Sequence, residues 1–257
     1  IMTGAAVPEG ADAVIPVELA TEADGWVRFS RLLPRGANIR PVGQDLAKGD
    51  VVLEPGTVLG AAEIGLLATM GYAQVAVYPR PRVAVMATGD ELAPLDRIPG
   101  PGQIRDSNSH ALAALMRLWG AIPVVLGIVP DEEDALRAAI LDGLARADML
   151  LTSGGVSMGR RDLMKPLLEE LGRVCFGRVA QKPGKPTTLA VVKGKPVFGL
   201  PGFPVSSLVS AELYVRPALR IMSGLSATGR REIAVRLQHD IYHDPDREEF
   251  QRAIVSW

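Results

Sequence analysis

At 257 residues, with 47% hydrophobic and 22% charged side chains, the chain is long enough for at least one complete core, and its length corresponds to about two domains. Lys and Arg total 28 against 29 Asp and Glu, a formal charge of -1, which excludes the global basic field of a nucleic-acid binder or of a protein that docks on anionic membranes. The single Cys175 excludes a disulfide framework and fits a reducing cytoplasm.

The opening IMTGAAVPEGADAVIPVE has no basic segment followed by an apolar one, so it reads as the interior of a domain rather than a leader, and the sequence is expected to be a piece of a longer one. Up to Arg82, short β-like runs at 13–18, 26–33 and 74–78 are separated by Gly, Pro and Asn, with one apolar helix candidate over Ala61 to Met70. This part is expected to be a β-rich module plus a connecting piece.

From Arg82 the pattern changes to strand RVAVMA, helix Ser109 to Trp119, strand IPVVLGIV, helix Asp131 to Ala145, strand DMLLT and helix Asp162 to Leu171. That alternation predicts an α/β fold with a mostly parallel sheet and helices on both faces. In the second helix, acids crowd the first turn while Leu136, Ile140 and Leu144 recur every four residues. A strand pair, TTLAVV and PVFGL, precedes a long helix from Val205 to Met222. After Gly224, residues 231–242 and 249–255 alternate like strands. The most apolar region, 111–130, is broken by Arg117, Gly120 and Pro123, so no run reaches the roughly eighteen residues that cross a bilayer.

In a doubly wound sheet, ligands bind beyond the C-terminal strand ends. The polar insertions fall there: Thr88-Gly89-Asp90-Glu91, Pro130-Asp131-Glu132-Glu133-Asp134 and Ser153-Gly154-Gly155-Val156-Ser157. Glycines between a strand and a helix let backbone N–H groups approach phosphate oxygens; taken alone, the same SGG is a tight turn. Asp90, Glu91, Asp131 and Asp162 would surround such a phosphate with hard oxygens, an arrangement that calls for a cation such as Mg²⁺. Asp131 and Asp162 also stand where helix N-caps are expected.

The segment FGRVAQKPGKPTT groups Arg178, Lys182 and Lys185 around a proline-framed turn at Gly184, which suits either an anion clamp or a solvated basic turn. Within QIRDSNSHAL, one of Asp106, Ser107, Asn108 and Ser109 must cap a helix, leaving another for a polar heterocycle. In GLPGFPVSS, Pro201 begins a turn into a helix whose Ser206 and Ser207 are first-turn donors. His239 and His243 lie in strand-like surroundings that do not favour a metal pair. No Ser-His-Asp or zinc-hydrolase arrangement is discernible.

The ordered set TGDEL, DSNS, SGGVSMGRRD, FGRVAQKPGKPTT and GLPGFPVSS resembles the MoeA family of molybdopterin molybdenumtransferases, related to the E domain of gephyrin. The resemblance implies a partial β-rich domain over 1–40, part of an elongated dimerisation domain over 41–79, a three-layer molybdopterin-binding domain over 80–224, and from 225 to 257 the start of a C-terminal β-domain. It implies insertion of molybdate into adenylylated molybdopterin with release of AMP, dependent on Mg²⁺. In that reading Thr88, Asp106, Ser107, Asn108, Ser153, Gly154, Gly155, Ser157, Pro201 and Ser206 bind substrate. Asp90, Glu91, Asp131 and Asp162 place the metal ion, and Arg178, Lys182 and Lys185 attract molybdate and stabilise phosphate charge. Thr3 matches a TGA motif facing the other subunit of a homodimer. The rival expectations are a molybdopterin adenylyltransferase, whose loop reads GGTG where this chain has GGVS, and a gephyrin-like scaffold without turnover.

Overall fold

The computed structural model describes residues 1–155, 163–226, 228–243 and 245–256. The chain divides into two compact units, Ile1–Thr57 and Val58–Trp257.

In the first unit, strands β1 (Ala20–Ala23) and β2 (Trp26–Phe29) form an antiparallel hairpin. Its Asp24-Gly25 turn has positive φ at both residues (53° and 75°), the geometry that matches the right-handed twist of the flanking strands. Of the expected run 13–18, only a short 3-10 turn at Val17–Leu19 is regular. Trp26, Leu32 and Val42 are all at least 75% exposed.

The second unit begins with α1 (Ala61–Thr69) and is built on β3 (Arg82–Thr88), the short β4 (Leu92–Ala93) and β5 (Ile104–Arg105), α2 (Asn108–Leu118), β6 (Ile122–Val129), α3 (Glu133–Arg146) and β7 (Met149–Ser153). It continues through α4 (Met164–Leu171), β8 (Gly172–Phe176), β9 (Gln181–Lys182), β10 (Thr188–Val192), β11 (Lys195–Leu200), α5 (Pro204–Ser210), α6 (Arg216–Met222) and β12 (Glu248–Glu249). The six-stranded sheet has the order β6-β3-β7-β11-β10-β8, in which only β10 is reversed.

Successive side chains of a strand face opposite ways, and β3 shows the consequence. Val83 and Val85 pack with Leu112, Met116, Val215 and Leu219 on one face, whereas Ala84 and Met86 pack with Leu136, Ile140, Leu144, Met164 and Leu168 on the other. These are the helices on both faces that the sequence predicts.

Four expectations are corrected. The run at 74–78 forms no strand, and neither does 231–242; in 249–255 only Glu249 belongs to one. Alternation specifies which face is apolar, but a strand also needs a neighbour for its backbone groups, and Val77, Val235 and Leu237 remain exposed. The long helix is interrupted by a π turn over Ala211–Val215, where the Arg216 N–H donates to the Ala211 carbonyl. Pro217 explains it: the ring has no N–H to give to the preceding turn and crowds its carbonyl, so that turn widens. Finally, β8 forms an edge strand that the sequence did not announce.

Candidate active site

The loops meet because the strand ends are in register. Thr88 lies opposite Val129, Ala87 opposite Ser153, and Leu200 opposite Ser153. The TGDE, PDEED, SGG and PGFP segments therefore leave the sheet at one edge. Strand β10 runs the other way and starts with Thr188 opposite Gly199, which puts the preceding KPGKP turn at that same edge.

Thr88 is buried at the end of β3 and donates its hydroxyl to the Asp131 carboxylate. Asp131 is thus held from the sheet and does not cap α3, which starts at Glu133 after an N-cap residue, Glu132, that makes no side-chain cap bond. The capping alternative for Asp131 is overturned.

The SGG turn is pressed against β3. Gly154 has φ +93°, and a Cβ there would stand 2.2 Å from the Thr88 carbonyl oxygen. Its N–H donates to the Leu200 carbonyl at 3.1 Å, so Gly154 shapes the turn while that amide is engaged within the fold. The Asn108 amide donates to both Ser153 Oγ and the Gly202 carbonyl at 2.7 Å, tying the SGG turn to PGFP. Asp106, 4% exposed, accepts the Ser109 N–H at 3.0 Å. Of the DSNS residues, Asp106 supplies the helix-start bond, Asn108 the tie, and Ser107 stays exposed.

The structure brings Thr88, Asn108, Asp131, Ser153, Gly154 and Gly155 into one contacting group, with Pro201 buried beside it in sequence. Ser157 and Asp162 lie outside the described residues. The Glu91 carboxylate folds back over Gly89, where a Cβ would be 2.6 and 2.7 Å from its oxygens. Among the described residues, no three acidic, His or Cys side chains are arranged to hold a metal ion; Asp90, Glu91 and Asp131 do not make a magnesium site by themselves.

Of the cations, Lys182 Nζ lies 3.2 Å from Glu249 Oε1, because β12 pairs in parallel with β9 and sets Glu249 beside Lys182. Arg178 and Lys185 are exposed and carry no ion pair among the described residues. Ser206 is half-buried in the first turn of α5, and Thr3 is exposed in the first unit.

The Lys182 ammonium, with a smaller contribution from His243, holds the Glu249 carboxyl below its ordinary value of 4.5. A depressed carboxyl contributes stability that is complete above its unfolded value and is lost as pH falls through the folded one. The β12 contact is therefore expected to persist at pH 4.5 and weaken below it. The Phe250 amide, which donates to the Lys182 carbonyl at 2.8 Å, should shift in an NMR titration with a midpoint under 4.5; a midpoint at or above that value contradicts the pairing.

Residues 84–221 match a family described as a probable molybdopterin binding domain, and residues 1–71 match the MoeA N-terminal region, domains I and II. The chain belongs to the MoeA family. Molybdopterin molybdenumtransferase of Haemophilus influenzae is 41% identical over 225 residues, 87% of this chain and 56% of that protein. Gephyrin of Dictyostelium discoideum is 38% identical over an alignment covering 100% of this chain and 41% of its own length. A crystal structure of the MoeA protein from Pyrococcus horikoshii superimposes with a TM-score of 0.74 at 36% identity, covering 86% of this chain and 55% of that one. The chain thus spans about half the length of the MoeA relatives it matches.

The sequence did not single out Gln181, Thr187, Ser210, Tyr214 or Glu249, which surround the KPGKP turn. Buried polar residues leave no periodic signature, and Glu249 reaches Lys182 only through a two-residue strand.

Proposed function

We propose that the protein carrying this chain inserts molybdate into the dithiolene of adenylylated molybdopterin, cleaves the pyrophosphate link and releases AMP in molybdenum cofactor synthesis. The observation that carries this reading is the meeting, at one sheet edge, of a glycine turn, a carboxylate held by Thr88 and a lysine-bearing turn. The name of the Haemophilus influenzae relative, molybdopterin molybdenumtransferase, supports the molybdenum-transfer part of this reading.

In this proposal Gly154 shapes the turn so that Gly155 and Ser157 receive the terminal phosphate of the pterin, with Ser107, Asn108, Pro201 and Ser206 along the binding edge. Thr88 and Asp106 act from below, the first on Asp131 and the second on the start of α2. Ser153 takes the Asn108 amide and keeps its own hydroxyl proton for donation. Lys182, Lys185 and Arg178 attract molybdate and offset the charge that develops on the phosphates; such preorganised donors act where charge appears and need little rearrangement. Mg²⁺ belongs to the proposal through Asp131 and Asp162, with Asp90 and Glu91 near it, and would neutralise the pyrophosphate when bound.

A homodimer in which Thr3 serves the partner's site is the proposed assembly, in a cytoplasmic setting. Support comes from the large apolar side chains that the first unit leaves exposed, including Trp26, Phe29, Leu32 and Val42. No described helix is long and apolar enough to cross a membrane. Sedimentation equilibrium is expected to give twice the chain mass, and replacing Trp26 and Leu32 with serine to shift the protein to monomer; a monomeric wild type contradicts the assembly.

Complementation tests the reading in cells. The protein should restore molybdoenzyme activity to a strain lacking its own transferase, and Asp131→Ala and Asp162→Ala should each abolish the rescue. Full rescue by both variants would remove these two carboxylates from the reaction, and no rescue by the unaltered protein would favour a scaffold without turnover.

A further inference from the structure

Beneath the KPGKP turn runs a chain of buried, uncharged side chains. Gln181 is 2% exposed, and Thr187 and Ser210 are fully buried. The Gln181 amide donates to the Pro183 carbonyl at 2.8 Å and to Ser210 Oγ at 3.3 Å, while Tyr214 donates its hydroxyl to Gln181 Oε1 at 2.5 Å. Thr187 donates to the Gly184 carbonyl at 2.7 Å and lies 2.7 Å from Ser210 Oγ.

Proton accounting fixes every direction. With the Thr187 proton on the Gly184 carbonyl, Ser210 must donate to Thr187, and the Ser210 oxygen then accepts from Gln181. Both Gln181 amide protons have acceptors, and its carbonyl has the phenol. Burial raises the Tyr214 hydroxyl above its ordinary pKa, which keeps it a donor. Gly184 closes the arrangement: φ is +102°, and a Cβ would stand 2.4 Å from both Gln181 Nε2 and Ser210 Oγ.

The two anchored carbonyls, Pro183 and Gly184, are the only residues between Lys182 and Lys185. On the helix side, Ser210 ends α5 and Tyr214 lies in the π turn that Pro217 imposes. We infer that Gln181, through Ser210 and Tyr214, is a positioning residue that fixes the Lys182 to Lys185 turn so that both ammonium groups meet an incoming oxyanion without reordering the backbone. A turn already ordered removes part of the entropy cost of binding. The inference rests on the proposed role of the two lysines as oxyanion holders.

The test uses inorganic molybdate as probe and two readouts on the whole chain: its dissociation constant by calorimetry, and exchange of the Thr187 amide, which donates to the Gly184 carbonyl. Gln181→Leu should weaken molybdate binding about tenfold and Tyr214→Phe about threefold. Both should speed Thr187 exchange while leaving the β7 amides protected. If Gln181→Leu does not fold, Tyr214→Phe decides alone. Unchanged affinity with unchanged exchange overturns the inference, as does a global loss of protection with affinity intact, which would mean a merely structural role. Lys182→Ala separates the two levels: if it leaves molybdate affinity intact, the reading of the lysines fails, and Thr187 exchange alone then upholds or overturns the positioning of the turn.

Discussion

Replacing Lys182 with alanine is expected to lower molybdate-dependent turnover about 10²- to 10³-fold, the usual cost of removing one preorganised charge from a transition state. The Lys182 side chain is half-exposed and its Nζ lies 3.2 Å from Glu249 Oε1, so it is both reachable by a ligand and held in place. The substitution also leaves Glu249 without its cation at the site, adding a negative charge where an oxyanion must enter. Steady-state kinetics should show the KM for molybdate rising together with a fall in kcat, because the charge serves both capture and the reacting phosphates. Lys182→Arg, which keeps charge but changes shape, should recover part of the loss. A fall in kcat alone would confine Lys182 to the phosphates.

Gly154→Ala is expected to destabilise the second unit by about 2–4 kcal/mol, from a left-handed backbone conformation and a steric overlap acting together. The overlap is with backbone: the new Cβ would stand 2.2 Å from the Thr88 carbonyl oxygen, and no side-chain rotation relieves it. Relief requires the ends of β3 and β7 to separate, which strains the Ala87 to Ser153 register and the Thr88 bond to Asp131. Urea unfolding should show a lower midpoint with an unchanged slope, and calorimetry a loss of AMP-molybdopterin affinity greater than stability alone accounts for. A variant of native stability and affinity would mean that the SGG turn does not have this conformation in solution.

Apart from β8, the sheet was legible because its strands carry two kinds of signal at once. Ile122 to Val129 is apolar along its length and bounded by Gly120 and Pro130, and it forms β6 over those same residues. The run at 231–242 carries only alternation, which says nothing about whether a partner strand exists, and it pairs with none among the described residues. Likewise, an Asp before a helix suggests a cap, yet Asp131 turns to Thr88, 43 residues earlier, a contact that exists only once β3 and β6 are side by side.

The candidate site divides in the same way. Gly154 and Gly155 could be assigned to a turn from sequence because only glycine suits such a conformation. The Asn108 tie between Ser153 and Gly202 joins residues 45 and 94 positions away and is set by the fold. Gln181, flanked by Ala180 and Lys182, gives no hint in sequence that it is buried; its role is visible only where Ser210 and Tyr214 converge on it.

The most direct measurement is AMP release from adenylylated molybdopterin by the purified protein, with and without molybdate. Release that depends on molybdate, accompanied by one molybdenum incorporated per AMP, is the predicted result. Release of AMP at the same rate without molybdate, or none in its presence, would contradict the assignment of this site to molybdenum insertion.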